Sequence, residues 1–391
     1  MPKEPRVLVL MPTAMHTERK KLRGLLSYAC EQGGRRWRIH LDLENRMLTQ
    51  GADAFSRSFD GIIGYVKRAA DQRRLFRLGL PAVVFNPNLA RPSQAKVPGH
   101  AVLATADYCA EGETAAQYFR ARRFHDVAFI GESRATRWGR ARERAFRETS
   151  GRGGLACHVY RLTAPAQDST REFPRIVRWL DELPKPCGIY AVHDLRARQV
   201  LLAAHEAGIS VPGEISVLGT DNDELICDTA TPPLSSVDSE DFRLGQDLAA
   251  ALDGLFNGRA HPRILVTEHR KVVERKSTAF DAIADAIVAQ VIQHARTHLD
   301  ADLSIAALAK QIHYSPRQLQ SRARRALGVP LGTEIRKLRL RNALDLLSTT
   351  NDPVTEIADV CGYAGVSHLC MTVRSAVGES PLAYRRRFRR S

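Results

Sequence analysis

Short apolar runs alternate with longer amphipathic stretches from Arg6 to about Val273. Short runs rich in β-branched residues predict strands, and apolar residues recurring every three or four positions predict helices. The predicted strands cover residues 6–11, 37–43, 61–66, 82–85, 101–104, 127–131, 157–160, 188–192 and 215–219. The predicted helices include residues 108–123, 138–149, 172–181, 195–207 and 242–257. This alternation is typical of βαβ units, so we expect an α/β domain of two lobes built on parallel sheets.

The pattern changes after Val273, where the β-rich runs end. From Phe280 onward the apolar positions have helical spacing in one segment after another. A chain of 391 residues is also too long for one ordinary hydrophobic core. We therefore expect a multidomain protein, with an α/β domain at residues 1–275, a junction at 276–284 and an all-α domain at 285–391.

The helical region contains an internal repeat. One helix face has the same i, i+3, i+4, i+7 spacing in both copies, formed by Ile305, Leu308, Ala309 and Ile312 and then by Val354, Ile357, Ala358 and Cys361. A second, longer helix follows in each copy, and Ser315–Pro316 is a suitable N-cap and first-turn pair for the first of these. Ile305 and Val354 are 49 residues apart but Leu319 and Leu369 are 50 apart, so the second turn has one residue more. A short helix, a turn and a longer helix predict two helix-turn-helix units.

The outward faces of the two longer helices carry the candidate DNA-binding residues. They are Arg317, Gln318, Ser321, Arg322 and Arg325 in the first unit, and Ser367, His368, Met371 and Arg374 in the second. Arginine and glutamine can bond base edges, and arginine also neutralises phosphates. Residues 334–348 predict one amphipathic helix that holds the units at a fixed spacing, so the pair can enter successive turns of the major groove. The alternative is a generic helical bundle with a solvated arginine face.

Charge favours a nucleic-acid partner. The formal net charge is +15 and the pI is about 9.8, and a basic protein binds polyanions by releasing counterions. An arginine-rich composition can also reflect a GC-rich genome, so charge alone leaves the question open. The arginine-rich run at residues 385–390 is equally ambiguous, because it suits either a phosphate contact or a solvated tail.

The second unit carries a specific motif. It reads Ile357-Ala358-x-x-Cys361-Gly362-Tyr363, then Ser367, then Gly378-x-Ser380-Pro381-x-x-Tyr384-Arg385. This helical domain resembles the AraC/XylS family of transcription regulators. The resemblance implies specific binding to double-stranded operator DNA, with RNA polymerase as a partner if the protein is an activator. We expect a homodimer that engages two half-sites. Met371 stands where the family usually has an arginine, so we expect the first unit to dominate base recognition.

Polar residues follow three predicted strands in the second half of the α/β domain, at Glu132, His193 and Asp221. Because the carboxyl ends of parallel strands meet at one edge of a sheet, these residues should converge on one crevice. Asp221 and Arg142 there supply the acceptors and forked donors that sugar hydroxyls require. Trp138 can stack on the apolar face of a sugar, or can be a core residue instead. Asp194 has two interpretations as well, a ligand contact or a helix N-cap.

These positions, with the segment 232–237, resemble the ligand-binding domain of LacI/GalR regulators and periplasmic sugar-binding proteins. The resemblance implies that Arg142 and Asp221 contact the ligand. His193 stands where that family often has an asparagine, and Asp107 matches an aspartate at the crossover before the helix predicted at 108–123. A sensor of this type joined to an AraC-type domain resembles the regulators of xylose operons. This resemblance implies that the effector is D-xylose or a related sugar and that the protein is an activator.

The sequence contains no motif for a nucleotide cofactor, a metal site or a disulfide framework. No glycine-rich nucleotide loop follows a predicted strand, so we expect no cofactor. His294 and His298 have metal-ligand spacing but lack further ligands nearby, so we expect no metal. The seven cysteines are scattered, which argues against disulfides, and we interpret them as buried small apolar residues.

No catalytic constellation appears, so we expect a protein that is not an enzyme. The alternatives are a sugar-active enzyme with an incidental helical tail, which would need catalytic groups, and a transport binding protein, which would need an export signal. The early apolar run at residues 7–11 is too short for a signal peptide or a membrane span. We therefore expect a cytoplasmic location and no membrane partner.

Overall fold

The computed structural model describes residues 4–31, 37–44, 46–47, 58–89, 95–132, 136–160, 169–259, 264–267, 270–279 and 285–388. The chain forms two compact units, residues 1–281 and 282–391. The first is an α/β unit of two lobes and the second is all-helical. This is the fold class that the sequence predicts, and each unit is described by itself below.

The first lobe of the α/β unit is a six-stranded parallel sheet. Its strands are β1 (Arg6–Leu10), β2 (Arg38–Asp42), β3 (Gly61–Tyr65), β4 (Ala82–Phe85), β5 (Ala101–Ala106) and β11 (Ile264–Thr267), in the order β11-β5-β4-β3-β1-β2. The helices of this lobe are α1 (His16–Glu31), α2 (Ala69–Arg77) and α8 (Asp241–Phe256). Val7 and Val9 pack in one hydrophobic cluster, whereas Leu8 and Leu10 pack in another on the opposite face of the sheet. Both faces are therefore covered, as parallel sheets require.

The second lobe is a six-stranded sheet with one antiparallel edge strand, since β12 runs against β10. Its strands are β6 (Asp126–Ile130), β7 (Ala156–Val159), β8 (Cys187–Ala191), β9 (Ile215–Thr220), β10 (Ser235–Asp238) and β12 (Lys271–Val273), in the order β12-β10-β9-β8-β6-β7. The helices are α3 (Tyr108–Ala121), α4 (Arg137–Arg152), α5 (Ser169–Glu182), α6 (Asp194–Glu206) and the short α7 (Glu224–Cys227). A 3-10 turn at Lys276–Thr278 comes directly before Ala279, the last described residue of the unit.

The predicted strands and helices are confirmed, with ends that differ by at most three residues. Three strands, β10, β11 and β12, were not predicted, and neither were α1 and α2. The strand β10 is mostly polar and β12 has only three residues, so neither has an apolar run long enough for a pattern to detect. The interpretation of every cysteine as buried is wrong for Cys30, which is exposed, while Cys187, Cys227 and Cys361 are buried.

The helical unit consists of two similar halves joined by one long helix. Its helices are α9 (Ala286–Thr297), α10 (Ile305–Gln311), α11 (Pro316–Leu327), α12 (Leu331–Thr349), α13 (Val354–Val360), α14 (Val366–Val377) and α15 (Pro381–Phe388). The first half of α12 contributes Ile335 and Leu338 to the core of the first half-unit, and the second half contributes Ala343 and Leu347 to the core of the other. The predicted linking helix is therefore part of both cores, which fixes the spacing of the two helix-turn-helix halves.

The extra residue predicted in the second turn is present. The turn between α10 and α11 covers residues 312–315, and the turn between α13 and α14 covers residues 361–365. Each recognition helix, α11 and α14, ends at a left-handed glycine, Gly328 and Gly378, which satisfies the last helical carbonyls. In the described ranges no helix is long and apolar enough to cross a membrane.

Candidate functional site

Arg142 and Asp221 meet at the carboxyl-terminal edge of the second-lobe sheet. Arg142 lies inside α4 and is 4% exposed, and Asp221 follows β9 with a left-handed φ of 98°. The Arg142 Nη2 atom donates to Asp221 Oδ1 at 3.2 Å, and its Nη1 atom donates to the Val192 carbonyl at 2.6 Å. The guanidinium therefore joins the ends of β8 and β9, and the two residues that the sequence predicted to bind ligand form one charged pair.

Glu111 of α3 is a third member of this cluster, and sequence reasoning missed it. Its carboxylate accepts from Arg142 Nε at 2.5 Å and from the Ser239 hydroxyl. Glu111 is 2% exposed, although it lies in the first turn of a helix where a solvated acid is common. A helical pattern alone could not reveal its burial, because the hydroxyl that bonds Glu111 belongs to Ser239, which is distant in the sequence.

Burial controls the charge state of the carboxylates here. Burial raises the pKa of Asp221 to about 6, against the opposing effects of Arg142 and His193. It also raises the pKa of Asp194 to about 8, and the adjacent Asp221 carboxylate adds to that rise. Asp194 accepts from the Ser236 hydroxyl at 2.6 Å and from the Asp223 amide at 2.7 Å. Burial therefore favours the protonated form of both carboxyl groups, and more strongly for Asp194 than for Asp221.

The other predicted ligand residues surround this pair at different distances. The Trp138 ring lies 4.9 Å from the Arg142 guanidinium and 6.4 Å from the ring of His193. His193 is the N-cap of α6, because its Nδ1 atom accepts from the Arg196 amide, so the alternative of Asp194 as the N-cap is wrong. Asp107 is the N-cap of α3 and accepts from the Ala110 amide at 3.1 Å.

Trp138 and Asp107 also line a cleft of about 840 Å³ that includes Tyr108, Arg137 and Val266. Arg142 and Asp221 do not line this cleft. The predicted ligand residues thus fall into two groups, with Arg142, Asp221, His193 and Asp194 at the strand ends and Asp107 beside the crossover. Trp138 belongs to both groups, since it contacts Arg142 and faces the cleft.

The first lobe touches the second through the start of α1. The Lys20 ammonium donates to the Asn222 carbonyl at 3.0 Å and lies 3.7 Å from an oxygen of Asp238. His16 Nδ1 lies 3.6 Å from Asp223 Oδ1. Each of these contacts joins a side chain of the first lobe to the loop after β9 or to the end of β10. Sequence reasoning missed them, because contacts between lobes leave no local pattern.

The first recognition helix, α11, presents a basic face. Arg317, Ser321 and Arg325 are exposed, as the sequence predicts. Gln318 is exposed too, but its Oε1 atom accepts from the backbone amide and hydroxyl of Ser315, which completes a capping box. Arg317, Ser321 and Arg325 are consequently the predicted contacts in this helix whose side chains make no hydrogen bond or ion pair within the described part of the unit.

Arg322 is turned toward α9 rather than outward. Its guanidinium contacts both carboxylate oxygens of Asp285 at 3.0 Å and lies over the Tyr314 ring. Burial raises the pKa of Asp285, but the bonds from Arg322 and from the backbone amides of Ile287 and Val288 outweigh it and leave this pKa below its usual value. Arg322 therefore fixes α11 against the start of α9.

The second recognition helix, α14, is less basic. Ser367, His368, Met371 and Arg374 are exposed, and the His368 ring packs edge-on against Tyr363. Met371 is 67% exposed and lines a shallow groove of about 490 Å³ between α12 and α14, together with Arg336 and Lys337. The structure thus places the predicted residues of both helices on outward faces, apart from Arg322.

Among the described residues, no group of three or more histidine, cysteine, aspartate or glutamate side chains could hold a metal ion. The His294 and His298 rings instead stack on each other at 4.5 Å.

Two family models match the chain. The periplasmic binding protein-like domain matches residues 116–278, and the helix-turn-helix domain matches residues 308–387. The xylose operon regulatory protein of Escherichia coli (strain K12) is 30% identical over 288 residues, which cover 72% of this chain and 73% of the relative. The protein of the same name from Haemophilus influenzae is 26% identical and covers 84% of this chain and 85% of the relative.

A solved structure has the same overall fold. The structure of a xylose-binding transcription activator, xylR, matches with a TM-score of 0.69 and 24% identity, and the alignment covers 98% of each chain. Both units described above therefore occur together, in the same order, in a known protein fold.

Proposed function

The chain belongs to the family of the xylose operon regulatory proteins, and from that premise we propose that D-xylose or a closely related sugar is its effector. It is a sugar-sensing, DNA-binding transcription regulator. The observation that carries the effector proposal is the Arg142–Asp221 pair at the ends of β8 and β9. Its remaining guanidinium donors and its carboxylate suit adjacent sugar hydroxyls, and Trp138 beside it offers an apolar ring face.

The proposed mechanism couples lobe closure to operator binding. A sugar in the crevice would hold the first lobe against the second, and the closed form would bind operator DNA more tightly. By thermodynamic linkage the sugar and the operator then raise each other's affinity by the same factor. We propose further that the protein acts as a homodimer on two half-sites, activates transcription by contacting RNA polymerase and transforms no ligand.

Operator titration tests the coupling. The operator is first selected from random DNA with this protein, and its Kd is then measured with and without D-xylose by fluorescence anisotropy. We expect the Kd to fall about tenfold with the sugar, within the usual range of allosteric coupling. Equal affinity and equal DNA bending with and without sugar would refute the proposed mechanism.

A ligand screen tests the effector. The thermal unfolding midpoint is measured with pentoses, hexoses and uronates, and we expect D-xylose or a close relative to raise it most. Recovery of each sugar unchanged after incubation tests the absence of turnover. Light scattering in the presence of operator tests the dimer, and a complex with one protein chain per operator would contradict it.

A further inference from the structure

Asn222 bonds both to the first lobe and to the last described stretch of the α/β unit. It directly follows the proposed ligand residue Asp221, and both residues have left-handed backbone angles, with φ of 98° for Asp221 and 49° for Asn222. Its carbonyl accepts from Lys20 of the first lobe at 3.0 Å. Its side-chain oxygen accepts from Arg275 Nη1 at 2.9 Å. Asn222 is 6% exposed, so these bonds are shielded from water.

The side chain and backbone of Asn222 are held in place by further bonds. Its amide donates to the Ser236 hydroxyl at 3.0 Å, and its side-chain amide donates to Asp238 at 3.1 Å. Each of the polar groups of Asn222 therefore has a partner. A left-handed asparagine costs free energy relative to an extended one, and it persists only where such bonds hold it.

Arg275 lies within residues 270–279, the last described stretch before the helical unit. Its Nε atom donates to Asp228 at 2.6 Å, and its backbone amide donates to the Ser235 hydroxyl at 2.7 Å. The next residues are fastened too, since the Ser277 hydroxyl donates to the Val217 carbonyl at 2.6 Å. The path of the chain at residues 275–279 is thus set by bonds to the second lobe, and the bond from Arg275 to Asn222 joins it directly to the residue that follows Asp221.

We propose that Asn222 and Arg275 are positioning residues that carry lobe closure from the sugar crevice to the segment leading into the DNA-binding unit. Lys20 reaches Asn222 only when the first lobe lies against the second. Its ammonium fixes the Asn222 carbonyl, and the asparagine side chain then holds Arg275 in one position. In the open form Lys20 withdraws, the left-handed turn at 221–222 loses a bond that holds it, and the bond between Asn222 and Arg275 is weakened. This proposal rests on the proposed function for its direction, because closure is taken to favour operator binding.

The test closes the lobes without any sugar. His16 and Asp223 are replaced by cysteine, because their side chains approach within 3.6 Å across the lobes, and a short reagent with two thiol-alkylating groups joins them. Operator affinity is measured before and after crosslinking, with the single variant His16→Cys treated in the same way to correct for reaction at native cysteines. We expect crosslinking to lower the operator Kd about tenfold.

The same crosslink is then made in three further backgrounds. Arg275→Met keeps the aliphatic stem but removes the guanidinium, and we expect crosslinking to change its operator Kd less than twofold. The matched control is Arg122→Met, because Arg122 contacts Glu274 at 2.5 Å and so anchors the same segment without touching Asn222. This control should keep the tenfold response. Asn222→Gly tolerates the left-handed backbone and should behave like Arg275→Met, which covers the case that one variant folds poorly.

An equal response in Arg275→Met, Asn222→Gly and Arg122→Met would overturn the proposal, and so would a crosslink that leaves the operator Kd of the parent unchanged. Failure of the proposed function is a separate result. If D-xylose has no effect but crosslinking does, the effector is wrong and the connection through Asn222 and Arg275 stands.

Discussion

His313 and Gly362 occupy the same position in the two helix-turn-helix turns, 49 residues apart, and both have a left-handed backbone, with φ of 56° and 69°. The turn itself requires this conformation, since it recurs with two different residues. A side chain fits at His313 in the first turn. At Gly362 an added Cβ would lie 2.0 Å from the Leu299 carbonyl oxygen, which Arg339 also bonds.

The first prediction concerns Gly362→Ala. The variant should lose about 3 kcal/mol or more of stability in the second helix-turn-helix unit, because the left-handed strain of about 1 kcal/mol adds to a clash with backbone. Amide exchange of residues 354–377, followed by mass spectrometry, measures the loss. Gly378→Ala is the matched control, since Gly378 also has a positive φ of 79° but an added Cβ meets nothing within 4 Å. Equal losses in the two variants would show that Leu299 moves aside.

The doubled helical pattern was enough to predict the second unit, including its longer turn, because both follow from the spacing of apolar residues. The pattern of strands and helices likewise predicted most of both lobes. Contacts between distant segments were not predictable. Glu111 and Lys20 acquire their roles from residues more than a hundred positions away, at Ser239 and Asn222. The turn of Arg322 toward Asp285 is similar, because helical spacing alone puts it near the outward face.

The second prediction concerns the sugar crevice. Asp221→Asn should weaken D-xylose binding about tenfold to a hundredfold, because a hydrogen bond to a charged group contributes about 1.5–3 kcal/mol. Isothermal titration calorimetry measures the Kd. Asp181→Asn makes the same chemical change at an exposed position of α5 and should bind as the parent does. Unchanged affinity in Asp221→Asn would show that the sugar does not bind at the ends of β8 and β9.

The third prediction concerns pH. The pKa of Asp194 is about 8 in the folded protein against an ordinary value of 3.8, so the folded state keeps a proton that the unfolded chain has lost between these values. The free energy of unfolding should therefore fall as the pH rises toward 8, by up to about 1.4 kcal/mol per pH unit, and level off above it. Asp221 acts in the same direction only up to about pH 6, so the range from 6.5 to about 8 isolates Asp194.

Urea unfolding at several pH values measures this slope. All three tryptophans, Trp37, Trp138 and Trp179, lie in the α/β unit, so their fluorescence reports on that unit alone. Asp194→Asn has nearly the same shape and keeps one of the two acceptor oxygens but has no titratable proton, so it should remove most of the slope. Asp181→Asn should keep it. A parent protein with constant stability from pH 6.5 to about 8 would show that Asp194 is ionised throughout.

The last prediction concerns base recognition by the first helix-turn-helix unit. Arg317 is exposed near the start of α11, where a recognition helix contacts base edges. Arg317→Ala should weaken operator binding by about 1–3 kcal/mol, the usual contribution of a paired arginine–guanine contact, and should affect random DNA far less. Anisotropy titrations with both DNAs at several salt concentrations measure the difference. Arg243→Ala removes the same charge from an exposed site on α8 and should leave the ratio of the two affinities unchanged. Equal losses on operator and random DNA in Arg317→Ala would instead identify a phosphate contact. The slope of log Kd against log salt concentration would then correspond to about one phosphate contact fewer.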